Sequence, residues 1–229
     1  MELNFAQLTG VELAARNATT PQRESSDGFL KPLWASLDGA AVNLPYIQAL
    51  VTDGRVFEAY VGSASTPVTL DAAWVNTDPD ISLDVPSGIT VIPIRITVVY
   101  EAFGTDALAE TMTLCSKTLA AASAGTLFTP INYRTRHTRA SACKVYVGPT
   151  VTSGYTTSAF ELFRACNQLC GTMAAGEAGP PNKFEWSIFK DGLAPMLEGE
   201  ASLQTWAVSQ ESTGYIQYVW AEIPSLPTP

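Results

Sequence analysis

One long run of β-forming residues constrains this chain more than any other feature. Residues 88–103 read GITVIPIRITVVYEAF, and their Ile, Val, Thr and aromatic side chains suit a pleated, half-buried surface. A second run with the same bias, GYIQYVWAEI, lies near the C-terminus at residues 214–223. Short β-rich runs with many Gly and Pro residues lie between the two. The pattern predicts a β-sandwich.

The long run also predicts which side chains face the core. From Thr90 to Tyr100 the even-numbered residues are the more apolar set, so we expect them to point inward and the odd-numbered residues to point outward. Pro93 falls within the run, and proline cannot donate a hydrogen bond to a neighbouring strand. It therefore predicts a sheet edge or a β-bulge.

The rest of the chain predicts about eight to ten strands and little helix, which favours a single jelly roll or two-sheet antiparallel β-sandwich over an α/β fold. Residues 157–170 are interpreted as a short helix that Gly171 ends. Residues 201–208 and 215–223 are expected to face each other across a hairpin loop at 209–214. Further strands are expected at residues 56–61, 67–75, 81–85, 106–115, 142–147 and 184–189.

Two regions differ in character. Residues 1–54 contain a polar stretch broken by Pro and Gly at positions 17–28, followed by apolar residues interspersed with prolines. This composition predicts an extended N-terminal arm and a segment that drapes over a neighbour. Residues 55–229 carry the β pattern and are expected to form the jelly-roll domain.

Charge is scarce and mostly negative. Charged residues form 15% of the chain, against about 25% in an average protein, and the formal net charge is −9. The negative charge argues against general nucleic-acid binding, whereas a charge-poor surface is typical of protein interfaces. The start, MELNFAQ, lacks the pattern of a secretory signal, and no run approaches the ~18 apolar residues of a membrane span. We therefore expect a protein made in a cytoplasm, without a signal peptide or membrane span.

Residues suited to catalysis are few. The chain has one histidine, His137, and lacks the Gly-x-Ser-x-Gly, Walker A and Gly-x-Gly-x-x-Gly motifs. These observations predict a protein that is not an enzyme and binds no cofactor. Asp78 and Asp80 have the ligand chemistry of a calcium site, but solvated loop acids are the favoured interpretation for them and for Asp71 and Asp84. The four cysteines are expected to be buried free thiols: Cys115, Cys143, Cys166 and Cys170.

A basic segment is the sharpest local feature. Four of the thirteen Lys and Arg residues fall within eleven positions, together with the histidine: Arg134, Arg136, His137, Arg139 and Lys144. Three interpretations stay open. The segment pairs with acidic residues of a neighbouring subunit, it is a solvated strand or loop, or its arginines contact the phosphates of a packaged genome.

Aromatic residues near the C-terminus allow two interpretations. They form either a sugar-binding platform or, as is more usual for residues on strands, part of the core or of the packing between sheets. The residues concerned are Trp186, Trp206, Tyr215, Tyr218 and Trp220.

Three segments resemble a known family. Residues 85–96 (VPSGITVIPIRI), 129–135 (TPINYRT) and 215–224 (YIQYVWAEIP) are similar to jelly-roll capsid proteins of tailless icosahedral bacteriophages, and the likeness covers about residues 55–224. The resemblance implies a single jelly roll in a protein shell, an N-terminal arm that ties subunits together, and no catalytic residues.

The expected function is therefore that of a structural virion protein. It would be a capsid subunit that associates with copies of itself and with other capsid proteins, with non-specific contact to packaged nucleic acid and no small-molecule substrate. The alternative is a spike, vertex or lectin-like β-sandwich that engages host-surface glycans.

Overall fold

The computed structural model describes residues 16–17, 34–35, 45–63, 65–71, 74–102, 108–152, 159–168, 183–208 and 213–225. The chain divides into two units, Met1–Asp53 and Gly54–Pro229. In the first unit, strands β1 (Arg16–Asn17) and β2 (Trp34–Ala35) pair in parallel, and helix α1 spans Tyr46–Thr52. The expected extended arm over residues 1–54 lies mostly outside the described residues.

The second unit is built mainly of strands. Their bounds are β3 (Val56–Val61), β4 (Val68–Thr69), β5 (Ile81–Val85), β6 (Ile89–Ala102), β7 (Leu108–Ser116), β8 (Thr126–Phe128), β9 (Ile131–Asn132), β10 (Lys144–Val147), β11 (Ala159–Gln168), β12 (Lys183–Ser187), β13 (Leu197–Glu198), β14 (Ala201–Val208) and β15 (Thr213–Pro224). A helical turn, α2 (Ile188–Asp191), follows β12.

The strands form two antiparallel sheets with jelly-roll connectivity. Sheet 1 has the order β12-β6-β15-β3-β9, with β13 beside β6 and β4 beside β15, and sheet 2 has the order β11-β7-β14-β5-β10-β8. Eight of these strands correspond to the strands of a jelly roll, numbered one to eight in this order: β3, β5, β6, β7, β11, β12, β14 and β15. With that numbering the strand order is 1-8-3-6 in sheet 1 and 2-7-4-5 in sheet 2. This alternation between sheets is the jelly-roll order, so the expected fold class is confirmed.

The segment between β7 and β11 covers one side of the sandwich. Its strand β9 pairs with β3 in sheet 1, and its strand β10 pairs with β5 in sheet 2. Without these additions β3 and β5 would be edge strands, and exposed edges promote unwanted pairing with other chains. The insertion therefore protects the same side of both sheets.

The core lies between the sheets, and a chain of hydroxyl groups runs among its apolar side chains. Phe57, Leu83, Ile96 and Trp220 belong to one buried cluster. Hydroxyl groups at its centre bond to one another across the two sheets, and the distances from Tyr218 to Thr205 and from Thr205 to Thr113 are 2.6 and 2.7 Å. Because each hydroxyl has a partner, their burial carries little penalty.

The inward face of β6 differs in part from the prediction. Ile96, Val98 and Tyr100 lie in the core as expected, but nearer the start of the strand the core residue is the odd-numbered Val91. A register shift opposite Val219 and Trp220 inserts one extra residue and reverses the alternation. The bulge expected at Pro93 is thus confirmed. Pro93 lies between the stretches of β6 that pair with β12 and β13.

Three other local predictions are wrong. Residues 159–168 form strand β11 and not a helix, because they pair along their length with β7. Strands β14 and β15 do not form a hairpin, since they lie in different sheets. The strand expected at 67–75 is reduced to β4. In the first two cases pairing between distant segments overrides the local pattern.

Candidate functional site

The basic segment forms a loop between β9 and β10 that its own side chains hold in place. The amide nitrogen of Asn132 donates to the carbonyl oxygens of Gly54 (2.9 Å) and Arg139 (3.1 Å), and its oxygen accepts from the backbone N–H of Arg134 (2.9 Å). The Nδ1 atom of His137 accepts from the backbone N–H of Arg139 at 3.0 Å. His137 therefore supports the loop from within.

A glycine and a buried carboxylate anchor the loop to the sandwich. A Cβ atom built on Gly54 would lie 2.4 Å from Cγ of His137, so the ring packs directly on the glycine backbone. Glu222 on β15 is 2% exposed, and its carboxylate accepts from the hydroxyl of Ser141, from the backbone N–H of Ala142 (2.9 Å) and from the indole of Trp220 (3.0 Å). The loop is thus fixed before any partner binds.

The loop presents its cations to solvent. Arg136, Arg139 and Lys144 are exposed, whereas Arg134 and His137 are half-buried. Lys144 begins β10 opposite Asp84, and burial raises the pKa of that carboxyl while Lys144 acts in the opposite direction. The structure therefore places Arg134, Arg136, His137 and Arg139 on one ordered loop, which we call the basic loop, and Lys144 at the start of β10. The exposed charges are suited to binding carboxylates or phosphates.

Three of the four acidic residues considered above lie at a different place on the molecule. Asp71, Asp78 and Asp80 line a cavity of about 240 Å³ beside residues 147–150, whereas Asp84 lies near Lys144. Asp80 is buried, and its carboxylate accepts the backbone N–H groups of Ala207 (2.6 Å) and Asp71 (3.4 Å). Burial raises its pKa to about 7. Within the described part of the chain, no three His, Cys, Asp or Glu residues are arranged to hold a metal ion.

The aromatic residues mainly pack inside the molecule. Trp186, Trp206, Tyr218 and Trp220 are each at most 5% exposed, so they cannot form a sugar-binding platform. Only Tyr215 of this set is half-buried, on the outer face of sheet 1. The interpretation of these residues as packing is confirmed for the four that are buried.

Sequence reasoning missed a groove on the outer face of sheet 1. The groove has a volume of about 380 Å³, and its lining includes Tyr60 and Val99 together with Tyr215. A Cβ atom on Gly62 would lie 2.7 Å from the ring of Tyr215, so this ring is held against the backbone. Tyr60 is 40% exposed, and its ring packs edge-on against the ring of Phe128, with 5.1 Å between the ring centroids. We call this feature the edge groove.

A polar network crosses the same face. The guanidinium of Arg95 donates to the side-chain oxygen of Gln217 at 3.1 Å and to the hydroxyl of Tyr133 at 3.5 Å. The nitrogen of Gln217 donates in turn to the carboxylate of Glu58 at 2.5 Å. These bonds link β6 and β15 to β3, and they give the face polar groups of fixed orientation. Alternation along the strands could have indicated this outward row, but not the groove beside it.

A second surface that sequence reasoning missed is the loop at residues 188–196, which we call the apolar loop. It begins with helix α2, whose N-cap Ser187 accepts the backbone N–H of Phe189 at 3.2 Å. Phe189, Leu193 and Met196 are 74%, 79% and 51% exposed. Three large apolar side chains exposed within eight positions are unusual for a surface that meets only water.

The cysteines show one departure from the prediction. Cys115 and Cys143 are buried free thiols as expected, and burial raises the pKa of Cys115 to about 12. Cys166 is free but exposed, because β11 is a strand whose side chain at this position points to solvent. Cys170 lies outside the described residues.

Comparisons with known proteins add little. No protein-family model and no curated protein sequence matches this chain. One solved structure to which it is similar is the unassembled KI polyomavirus VP1 pentamer, with a TM-score of 0.29 and 10% sequence identity, over 82% of this chain and 99% of that chain. A likeness at this TM-score carries no argument, so the fold assignment rests on strand order. No helix in the described ranges has the length and apolar character needed to cross a bilayer.

Proposed function

We propose that this chain is a structural virion protein, a capsid subunit that self-associates into an icosahedral shell around a genome. The observation that carries the proposal is the set of large apolar side chains exposed on an ordered, charge-poor jelly roll. Phe189 and Leu193 are more than 70% exposed, and Ile131 is 48% exposed. Phe189 and Leu193 are exposed only four positions apart in one loop, and clustered exposed apolar side chains are typical of surfaces that contact other protein.

The resemblance to capsid proteins of tailless bacteriophages supports the same role. It gives the jelly roll a place in the wall of the shell and gives residues 1–54 the role of an arm that ties subunits together. A fold alone does not define a function, so the proposal depends on the surfaces as well as on the topology.

The basic loop is the second element of the proposal. Its exposed Arg136 and Arg139, together with Lys144 at the start of β10, can pair with carboxylates of a neighbouring subunit, for which a chain of net charge −9 offers many partners. The same groups can bind phosphates of a packaged genome without reading its sequence. A salt-dependent assembly that needs no nucleic acid would favour subunit pairing.

A second candidate function is the binding of host-surface glycans by a spike or vertex protein. The edge groove supports it, because the aromatic Tyr60 and Tyr215 line it beside the polar groups of Glu58 and Gln217. Aromatic rings with adjacent hydrogen-bonding groups suit the faces and hydroxyls of a sugar.

The test is the assembly state of the purified full-length chain, measured by light scattering and negative-stain microscopy over a range of concentrations. Shells or regular capsomers are expected, and they should be lost from a chain lacking residues 1–28 if the arm ties subunits together. A monomer at every concentration would contradict the capsid proposal. A thermal shift with oligosaccharides, absent in Tyr215→Ser, would instead support the glycan-binding candidate.

A further inference from the structure

The histidine of the basic loop holds the loop through a hydrogen bond that depends on its protonation. Nδ1 of His137 accepts the backbone N–H of Arg139 at 3.0 Å, and the backbone N–H of His137 donates to the carbonyl oxygen of Arg134 at 2.8 Å. A ring nitrogen that accepts a hydrogen bond carries no hydrogen, so the neutral ring has its hydrogen on Nε2. A further proton therefore binds Nδ1, the same atom that accepts from Arg139.

The ring of His137 lies in a tightly packed corner of the loop. A Cβ atom built on Gly54 would lie 2.4 Å from Cγ of the ring and 2.5 Å from Nδ1. The carbonyl oxygen of Gly54 accepts from Asn132 at 2.9 Å, and the same amide nitrogen donates to the carbonyl oxygen of Arg139 at 3.1 Å. The backbone of Arg139 is thus held at its N–H by His137 and at its C=O by Asn132.

Positive charge predominates around His137. Three arginines lie within three positions of it in the loop: Arg134, Arg136 and Arg139. Glu222 on β15 faces the loop from the sandwich, and hydrogen bonds from two loop residues and an indole hold its carboxylate. Asp53 and Arg55 flank Gly54 in the chain and carry opposite charges. An imidazolium at position 137 would add a fourth positive charge to the loop, and like charges repel.

We propose that His137 is a pH-sensitive latch of the basic loop, closed while its ring is neutral and opened when Nδ1 takes up a proton. The proton and the N–H of Arg139 compete for one lone pair, so only the opened loop binds the proton and acid favours the open form. A histidine in water takes up its proton near pH ~6.5, within the physiological range.

The latch controls how two exposed cations are presented. Arg136 and Arg139 are exposed on either side of His137, so their arrangement toward a carboxylate or phosphate partner changes when the latch opens. This consequence for binding rests on the proposed function of the basic loop. The latch itself is a property of the single chain and does not depend on that function.

The single histidine of the chain makes the latch directly observable. In the dissociated full-length chain with isotope-labelled histidine, NMR at pH 8 should show the ring hydrogen on Nε2 and none on Nδ1. As the ring becomes protonated between pH 7.5 and 5, the hydrogen-exchange protection of the Arg139 amide should fall about tenfold, as for the loss of one hydrogen bond. The amide of Ala142 is the internal control, because it donates to Glu222 at 2.9 Å and should stay protected.

Two variants separate His137 from other titrating groups. His137→Asn carries an amide oxygen at about the distance of Nδ1 from the backbone, which accepts a hydrogen bond but takes up no proton in this range. Its Arg139 amide should be equally protected at both ends of the pH range. Asp80→Asn removes a carboxyl whose pKa burial raises to about 7, and the loss of protection at Arg139 should persist in this variant.

Several results would overturn the latch. They are a hydrogen on Nδ1 at pH 8, a ring that stays neutral down to pH 5, an Arg139 amide that keeps its protection while the ring is protonated, and a loss of protection that persists in His137→Asn. Each of these readouts uses the dissociated chain. A chain that never assembles would therefore contradict the capsid proposal and leave the test of the latch unaffected.

Discussion

The outer faces of the two sheets differ sharply. On sheet 2 the outward-facing Met112, Leu114 and Trp206 form a second buried cluster, and Trp74 stacks on Trp206 at 5.4 Å. Arg164 lies over Trp74 and pairs with Glu110 and Glu161. On sheet 1 the outer face instead carries an open groove and half-exposed aromatic rings. Among the residues that the structure describes, one outer face is covered and the other is left open.

This difference separates stability from function. A face that is buried within the subunit contributes to folding, and substitutions there should mainly change the free energy of unfolding. A face that stays open contributes little to folding, and substitutions there should mainly change association with a partner. Aromatic side chains thus have different roles on the two outer faces.

The largest expected effect is on the closed face. Trp206→Ala should lower the free energy of unfolding by about 3–5 kcal/mol, because it removes a 1% exposed ring and the hydrogen bond from its indole to the carbonyl oxygen of Val75. Tyr60→Ala on the open face should cost less than ~1 kcal/mol and weaken assembly. Urea denaturation with light scattering measures both. Equal losses of stability would abolish the distinction between the faces.

The second effect concerns pH and the support of sheet 2. Asp80 fixes β14 through Ala207, and burial raises its pKa from 3.8 to about 7. Between those values the folded protein retains a proton that the unfolded chain releases, so stability falls as pH rises from about 4 to 7. The loss amounts to at most about 4 kcal/mol, and the raised pKa of Asp71 acts in the same direction.

The slope of unfolding free energy against pH tests this account. It should be negative in the wild type between pH 4.5 and 7, and distinctly flatter in Asp80→Asn. An unchanged slope in the variant would show that other groups cause the dependence. In Asp80→Asn the side-chain amide cannot accept both backbone N–H groups that the carboxylate accepts, so the variant is less stable at every pH. Because that loss does not depend on pH, the slopes of the two proteins can still be compared.

The smallest effect concerns the basic loop beside the open face. Gly54→Ala should cost about 2–3 kcal/mol, because φ is +66° and the new Cβ meets the His137 ring. Gly88→Ala is the matched control, with φ of +78° but no atom within 4 Å, and should cost only about 1 kcal/mol. Chemical denaturation gives both values. Similar costs would mean that His137 moves aside freely and that the loop is not held by its packing.

The sequence allowed the sandwich to be predicted because its central strands are long and rich in β-forming residues. β6 and β15 were located from composition alone, and the bulge from the missing N–H of Pro93. The basic loop was recognisable from its charges. The residues that anchor the loop could not be predicted, because Glu222 and Gly54 are distant from it in sequence and become its neighbours only in the fold.

Other features could not be predicted for the same reason. Local signals paired β14 with β15 because they are consecutive, whereas the jelly roll places these two strands in opposite sheets. Residues 159–168 have a pattern compatible with a helix, and they form a strand because they pair with β7. The exposure of Phe189 and Leu193 depends on how distant segments pack in the fold, and no local sequence pattern encodes that packing.

Hydroxyl-radical footprinting of assembled and dissociated full-length protein tests the central claim most directly. Assembly should protect Tyr60 and Phe189, which belong to the edge groove and the apolar loop. Trp74, which is 39% exposed on the closed face, should react equally in both states. Protection of Trp74 with unchanged reactivity of Tyr60 and Phe189 would contradict the claim that the open face of sheet 1 is where copies of this chain meet.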